Sequence, residues 1–179
     1  MTTASQLEIE FVLGEAGWAD LIIRDETQRH EINDISYLSD VLDDLIRLGI
    51  DVATNRGFAF AQFFHEPGST ILVAESRCSD DGALKAGRRL SAVEGSELGG
   101  GPPNWHRVLE LERKFIVELD SGDEIAQAIL AAAERVERDV GIENYSKQWN
   151  GRLGFPSRAV AALRAALNTP GSSIENWSV

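Results

Sequence analysis

The chain reads as an α+β fold, an antiparallel sheet with about three helices packed on it, on three observations. Short runs of alternating apolar residues open it, and three segments carry apolar residues at helical spacing. The strands also come in sequence-adjacent groups broken by helices, where a parallel α/β fold would alternate the two strictly. At 179 residues and 43% apolar content one domain is the usual outcome. A globule of this length buries roughly 70% of the surface its unfolded chain exposes. Residues 1–179 are therefore read as a single domain, with a loop-rich insertion at about 78–104 and a C-terminal tail from about 168. In the alternative division the glycine-rich middle is a hinge between a half ending near 77 and a half starting near 105.

Leu7 to Gly14, Trp18 to Asp25 and Arg29 to Asn33 are separated by the polar turns Glu15-Ala16-Gly17 and Glu26-Thr27-Gln28, which predicts a three-stranded meander. Leu38, Val41, Leu42, Leu45, Leu48 and Val52 follow i, i+3, i+4, i+7 spacing and predict a helix. Ser36 or Ser39 is placed to cap its first amides, with Asp40 in the first turn, where the helix dipole favours negative charge. Phe58 to Glu66 and Ser69 to Arg77 predict a hairpin turning at Pro67-Gly68.

From Cys78 to Gly101, glycine, serine and charge predict loops around one short strand near Arg88 to Val93. Val108 to Leu119 alternates and reads as one long or two short strands. A helix capped by Asp120 or Ser121 follows, with Ile125, Ile129, Val136 and Val140 inward and a stop at Gly141. The last helix runs from Ser157 to Leu167 after Phe155-Pro156, turns Val160, Leu163 and Leu167 inward, and stops before Thr169-Pro170-Gly171. Ile174 and Trp177, in the tail, are placed to tuck back.

With 29 acidic against 17 basic side chains the net charge is −12, which opposes nucleic acid and anionic membrane as partners, because phosphate recognition needs a basic face. The excess fits either solubility or a basic protein partner. A single Cys78 cannot form an intramolecular disulfide, no leader pattern opens the chain, and no apolar run approaches the ~20 residues of a membrane span. The reading is a cytoplasmic protein.

Motifs for chemistry are sparse. SELGGGPPNW lacks the GxxxxGK[ST] and GxGxxG patterns, and its prolines remove amide donors, so it reads as a surface loop and not a phosphate cradle. His30, His65 and His106 fall in different elements without metal spacing, and His65-Glu66 does not complete HExxH. No metal and no cofactor is read from them. A small hydrolytic enzyme using His65, His106 or Cys78 is the alternative from another class, although no catalytic residue is assigned and no GxSxG elbow is present. Trp18 and Trp149 read as core, Trp149 lying just after a helix in NYSKQW, and Trp105, beside GGGPPN, as an exposed contact residue.

Asp40, Asp43, Asp44 and Asp51 fall away from Leu38, Leu42 and Leu45 at 100° per residue, so they face solvent or a partner. Asp40 and Asp44 repel by a few tenths of a kcal/mol, and Arg47, within reach of Asp43 or Asp44, offsets about as much. A hard cation needs about six converging oxygens, which a helix stripe alone does not offer.

The segments GWADLIIRD, YLSDVLDDL, HEPGSTILVAE and FPSRAVAALRAAL resemble a family of small, acidic, uncharacterised bacterial proteins. These share a GWA strand, a SYLSD helix start, an EPG turn and FP before the last helix. The resemblance covers about the first 77 and last 60 residues, and implies no catalytic residue. Small acidic proteins of this sort also look like immunity proteins, which neutralise toxins, often basic nucleases. The functional expectation is therefore a non-enzymatic, immunity-like binding module that offers Asp40, Asp43, Asp44 and Asp51 to a basic partner, with Trp105 as anchor. A self-assembling structural protein is the third reading.

Overall fold

The computed structural model describes residues 7–36, 40–65, 68–78, 84–95, 105–149, 151 and 153–169. The Ser39 cap, the loop at 96–104 and the tail with Ile174 and Trp177 lie outside them. The meander forms as the turn signals dictate: β1 (Glu8–Leu13), β2 (Trp18–Arg24) and β3 (Arg29–Ser36) pair antiparallel in that order. Ala16 and Gly17 both take positive φ (56° and 86°) in the first turn, and Asp25 Oδ1 accepts the N–H groups of Thr27 and Gln28 in the second. Register sets Ile9 beside Ile23 and Phe11 beside Leu21, so alternation buries one face.

A second antiparallel sheet contains β4 (Phe58–Phe64), β5 (Ser69–Cys78), β6 (Leu84–Gly95) and β7 (Arg113–Leu119), again in chain order. Two expectations are corrected here. The α+β class holds with two sheets in place of one, and among the described residues an antiparallel bridge, Ile35 to His65, joins them. The stretch read as loops around a short strand holds β6, a 12-residue strand paired on both sides. β3 crosses one end of this sheet: Gln28 Nε2 donates to the Ile116 carbonyl of β7, His30 faces Glu94 of β6, and Ile35 reaches the end of β4.

The alternating run from Val108 is not a strand at its start. Trp105–Glu110 is a one-and-a-half-turn helix, α2, and the strand begins only at Arg113. The remaining helices are α1 (Val41–Ala53), α3 (Gly122–Asp139), α4 (Ile142–Gln148) and α5 (Ser157–Asn168). Asp40, and not Ser36, caps α1: Ser36 belongs to β3, and the Asp43 N–H donates to Asp40 Oδ1 (3.3 Å). Ser121 caps α3, with Glu124 reaching back to its N–H (3.0 Å).

The large core lies between the helices and the sheets. Leu42, Leu45, Ile46, Leu48 and Val52 of α1 are all buried in it, each contributing about 2 kcal/mol of apolar transfer. Gly49 lets α1 approach its neighbours, since a Cβ there would stand 3.1 Å from Leu163 Cδ2 and 3.3 Å from Ile129 Cγ2. On the opposite face of the four-stranded sheet, Ile71, Val73, Val93 and Val108 form a smaller cluster that Trp105 and Leu111 cover. Among the described residues no helix is long and apolar enough to cross a membrane.

Candidate functional site

Three of the four predicted aspartates, Asp40, Asp43 and Asp44, stand at the start of α1. α4 turns Tyr145 inward, and Trp149 directly after it; both are fully buried, with ring centroids 6.0 Å apart and planes at 21°. Phe155 packs edge-on against Tyr145 (5.6 Å) and Phe11 against Trp149 (6.4 Å). Among the described residues, the Tyr145 hydroxyl and Trp149 Nε1 have no hydrogen-bond partner. Burial raises the Tyr145 pKa first, and the charges of Asp40 and Asp43 raise it further.

On the face expected to meet solvent or a partner, burial is partial. Asp40, Asp43, Asp44 and Asp51 are all half-buried. Arg47 chooses Asp43: its Nε donates to Asp43 Oδ2 at 2.5 Å. Burial pushes the Asp44 carboxyl up to about 6, and the charges of Asp40 and Asp43 add to the rise while Arg47 opposes it. Asp40 is raised by burial as well, against the stabilising N–H of Asp43. Asp51 stands apart, about 10 Å farther along the helix than Asp44, and is paired with Arg56 (3.2 Å). The site is a knot of three carboxylates, partly desolvated, answered by one guanidinium.

Trp105 does not join it. Ala59, Ala61 and Phe63 of β4 face the core that holds α1, so Phe58 and Phe60, on the alternate positions, face the other way. Trp105 packs edge-on against both, at 5.0 and 4.8 Å, and is itself half-buried. The four-stranded sheet therefore separates Trp105 from the aspartates. What this outer face exposes is Phe58 (44%), Phe60 (41%) and Ile116 (43%), none of them singled out from the sequence although strand parity marks each one. Beside them Glu75 and Glu118 share Arg77, Arg89 and Arg113 in a cross-strand ion-pair lattice at 2.5 to 3.7 Å.

Two residues of the hydrolytic alternative, His65 and Cys78, stand at opposite ends of β5. His65 Nε2 lies 3.0 Å from Thr70 Oγ1 at the start of β5, whereas Cys78 ends that strand, about 26 Å away. A His65–Cys78 dyad cannot form in this fold. The side chains of Cys78 and His106 lie outside the described residues. His30 Nε2 stands 3.1 Å from Glu94 Oε1, yet burial lowers its pKa against the pull of that carboxylate. Among the described residues no three metal-ligating side chains converge.

Set against known protein families, curated proteins and solved structures, the chain finds a match in none. The chemistry of the acidic knot is thus read from its own geometry. Three close carboxylates with one cation repel one another, and low local dielectric strengthens that repulsion. Three carboxylates against one guanidinium leave the start of α1 with a net negative charge.

Proposed function

We propose that the chain is a non-enzymatic protein-binding module whose acidic end of α1 receives a basic side chain from a partner, in the manner of a cytoplasmic immunity protein that neutralises a cationic toxin. One observation carries this reading: Asp44 is half-buried between Asp40 and Asp43, and Arg47, the cation in reach, is bound to Asp43. A lysine or arginine entering beside Asp44 relieves the repulsion, and its ion pair gains from the partly desolvated setting. The net charge of −12 supports the same reading, since it attracts a basic protein over longer distances and speeds encounter at low salt.

The test is calorimetric titration of the product of the adjacent reading frame against the wild-type protein and an Asp43→Lys, Asp44→Lys variant. Support is a basic partner whose affinity falls at least about 100-fold on reversal, the variant keeping its circular dichroism spectrum. Equal affinity for both proteins overturns the assignment of this surface.

A further inference from the structure

A cavity of about 240 Å³ opens where the end of α1, the start of β6 and the first turn of α3 converge. Arg88 sets its character. It shares strand parity with Leu90 and Ala92, so its side chain turns inward, and it is only 8% exposed. Nη1 donates to Ser76 Oγ (2.7 Å) and Nη2 to Asn55 Oδ1 (3.0 Å), and both acceptors are neutral. Nε, a buried atom, has no acceptor among the described residues, and the two bonds shown occupy two of the five N–H donors of a guanidinium. No carboxylate of the described residues stands within 4.0 Å of it. A buried charge is ordinarily paired, because desolvation is costly. Here the positive charge is left to the cavity that Arg88 lines.

The first turn of α3 adds donors to the same space. Glu124 Oε1 accepts the N–H groups of Asp120 and Ser121, both at 3.0 Å. The amides of Gly122 and Asp123, which also border the cavity, have no acceptor within the helix. Gly122 is required there, since a Cβ would lie 2.8 Å from the Val52 carbonyl oxygen of α1. The 18-residue helix adds the positive end of its dipole.

The geometry points to a binding site for a small oxyanion, a carboxylate or a phosphate group, held by Arg88 and by the Gly122 and Asp123 amides. Its place is independent of the acidic knot. Asp120 and Asp123 stand on the rim as exposed carboxylates, which lowers affinity for dianions more than for monoanions.

The experiment follows backbone amide and arginine Nε–H chemical shifts of the full chain during titration with acetate and, separately, with inorganic phosphate at constant ionic strength. The expected result with at least one anion is saturable shifts on Gly122, Asp123 and Arg88 that fit one Kd, the tighter anion naming the class. Asp123→Asn, an exposed change, is expected to tighten binding about threefold, and Arg88→Lys, which keeps the charge and loses the fork, to weaken it at least about tenfold. Linear shifts, shifts spread over the surface, or equal Kd values in a folded Arg88→Lys protein overturn the assignment. If Arg88→Lys does not fold, Asp123→Asn decides: unchanged affinity overturns the site and tighter affinity supports it.

Discussion

Arg47 donates to Asp43 at 2.5 Å and leaves Asp44, the next residue of α1, without an ion pair among the described residues. The two aspartates thus differ in kind, one neutralised and one carrying the unrelieved charge of the knot. Arg47 still lowers the Asp44 pKa through space, but burial, Asp40 and Asp43 outweigh it.

Asp44→Asn is expected to stabilise the protein at pH 7.5 by about 1 kcal/mol, a shift of some two pKa units discounted for partial solvent screening. The sign follows from linkage. The folded pKa, about 6, lies above the ordinary value of 3.8, so the folded state holds the proton more tightly. Stability from Asp44 is therefore full below about pH 4 and is lost as pH rises through 6. Urea midpoints at pH 7.5 and 3.5 check it, with the variant's advantage present at the first and absent at the second.

Tyr145→Phe removes a buried hydroxyl that has no partner among the described residues, and so is expected to leave stability unchanged or to raise it by up to about 1 kcal/mol. A loss above 1 kcal/mol in denaturant unfolding would mean that the hydroxyl is satisfied in solution.

Gly87→Ala is expected to cost more than about 3 kcal/mol. Gly87 takes φ +94°, and a Cβ there would stand 2.3 Å from the Leu119 carbonyl oxygen, a rigid backbone atom of the paired strand. Thermal melting reads the loss, and a melting temperature near wild type would contradict the close approach of β6 to the end of β7.

Trp105→Ala uncovers Phe58, Phe60 and the small cluster around Val73, and is expected to cost about 2 to 4 kcal/mol. Because the sheet separates it from Asp44, it is expected to leave affinity for a basic partner within about twofold when the variant is folded. A larger drop in titration calorimetry would return Trp105 to the binding surface.

Elements with a full period were legible from sequence, and elements defined by distant partners were not. The meander, the hairpin and the helices at 41, 122 and 157 each repeat their period two or three times between turn signals. α2 has six residues, too few for period 3.6 to part from period 2, and its Val108 sits where either pattern wants an apolar residue. Two sheets instead of one is a matter of pairing between strands, which alternation does not encode.

The site was half legible for the same reason. A helical wheel turns Asp44 away from Leu42 and Leu45, but the wheel does not contain Tyr145 of α4, which is buried and feels the charges of Asp40 and Asp43. Trp105 looked exposed because it adjoins glycines and prolines, whereas Phe58 and Phe60 come from a strand 45 residues earlier to meet it. Arg88 was readable in principle, since its parity with Leu90 and Ala92 turns it toward the core.

In both sheets every strand pairs with its neighbours in the chain. The β1–β2, β2–β3, β4–β5 and β5–β6 pairs can zip up over short connections whose closure entropy is small, whereas β6 and β7 are joined through α2. The long-range step is the return of α3 to the first strand, where Arg135 meets Glu8 (3.6 Å) and Ile9 and Phe11 lose their last contact with water. A chain cut short before α3 would assemble its hairpins and still expose that apolar strip. The docking of α3 on β1 joins two segments more than a hundred residues apart, so it carries a larger closure entropy than any of the hairpins.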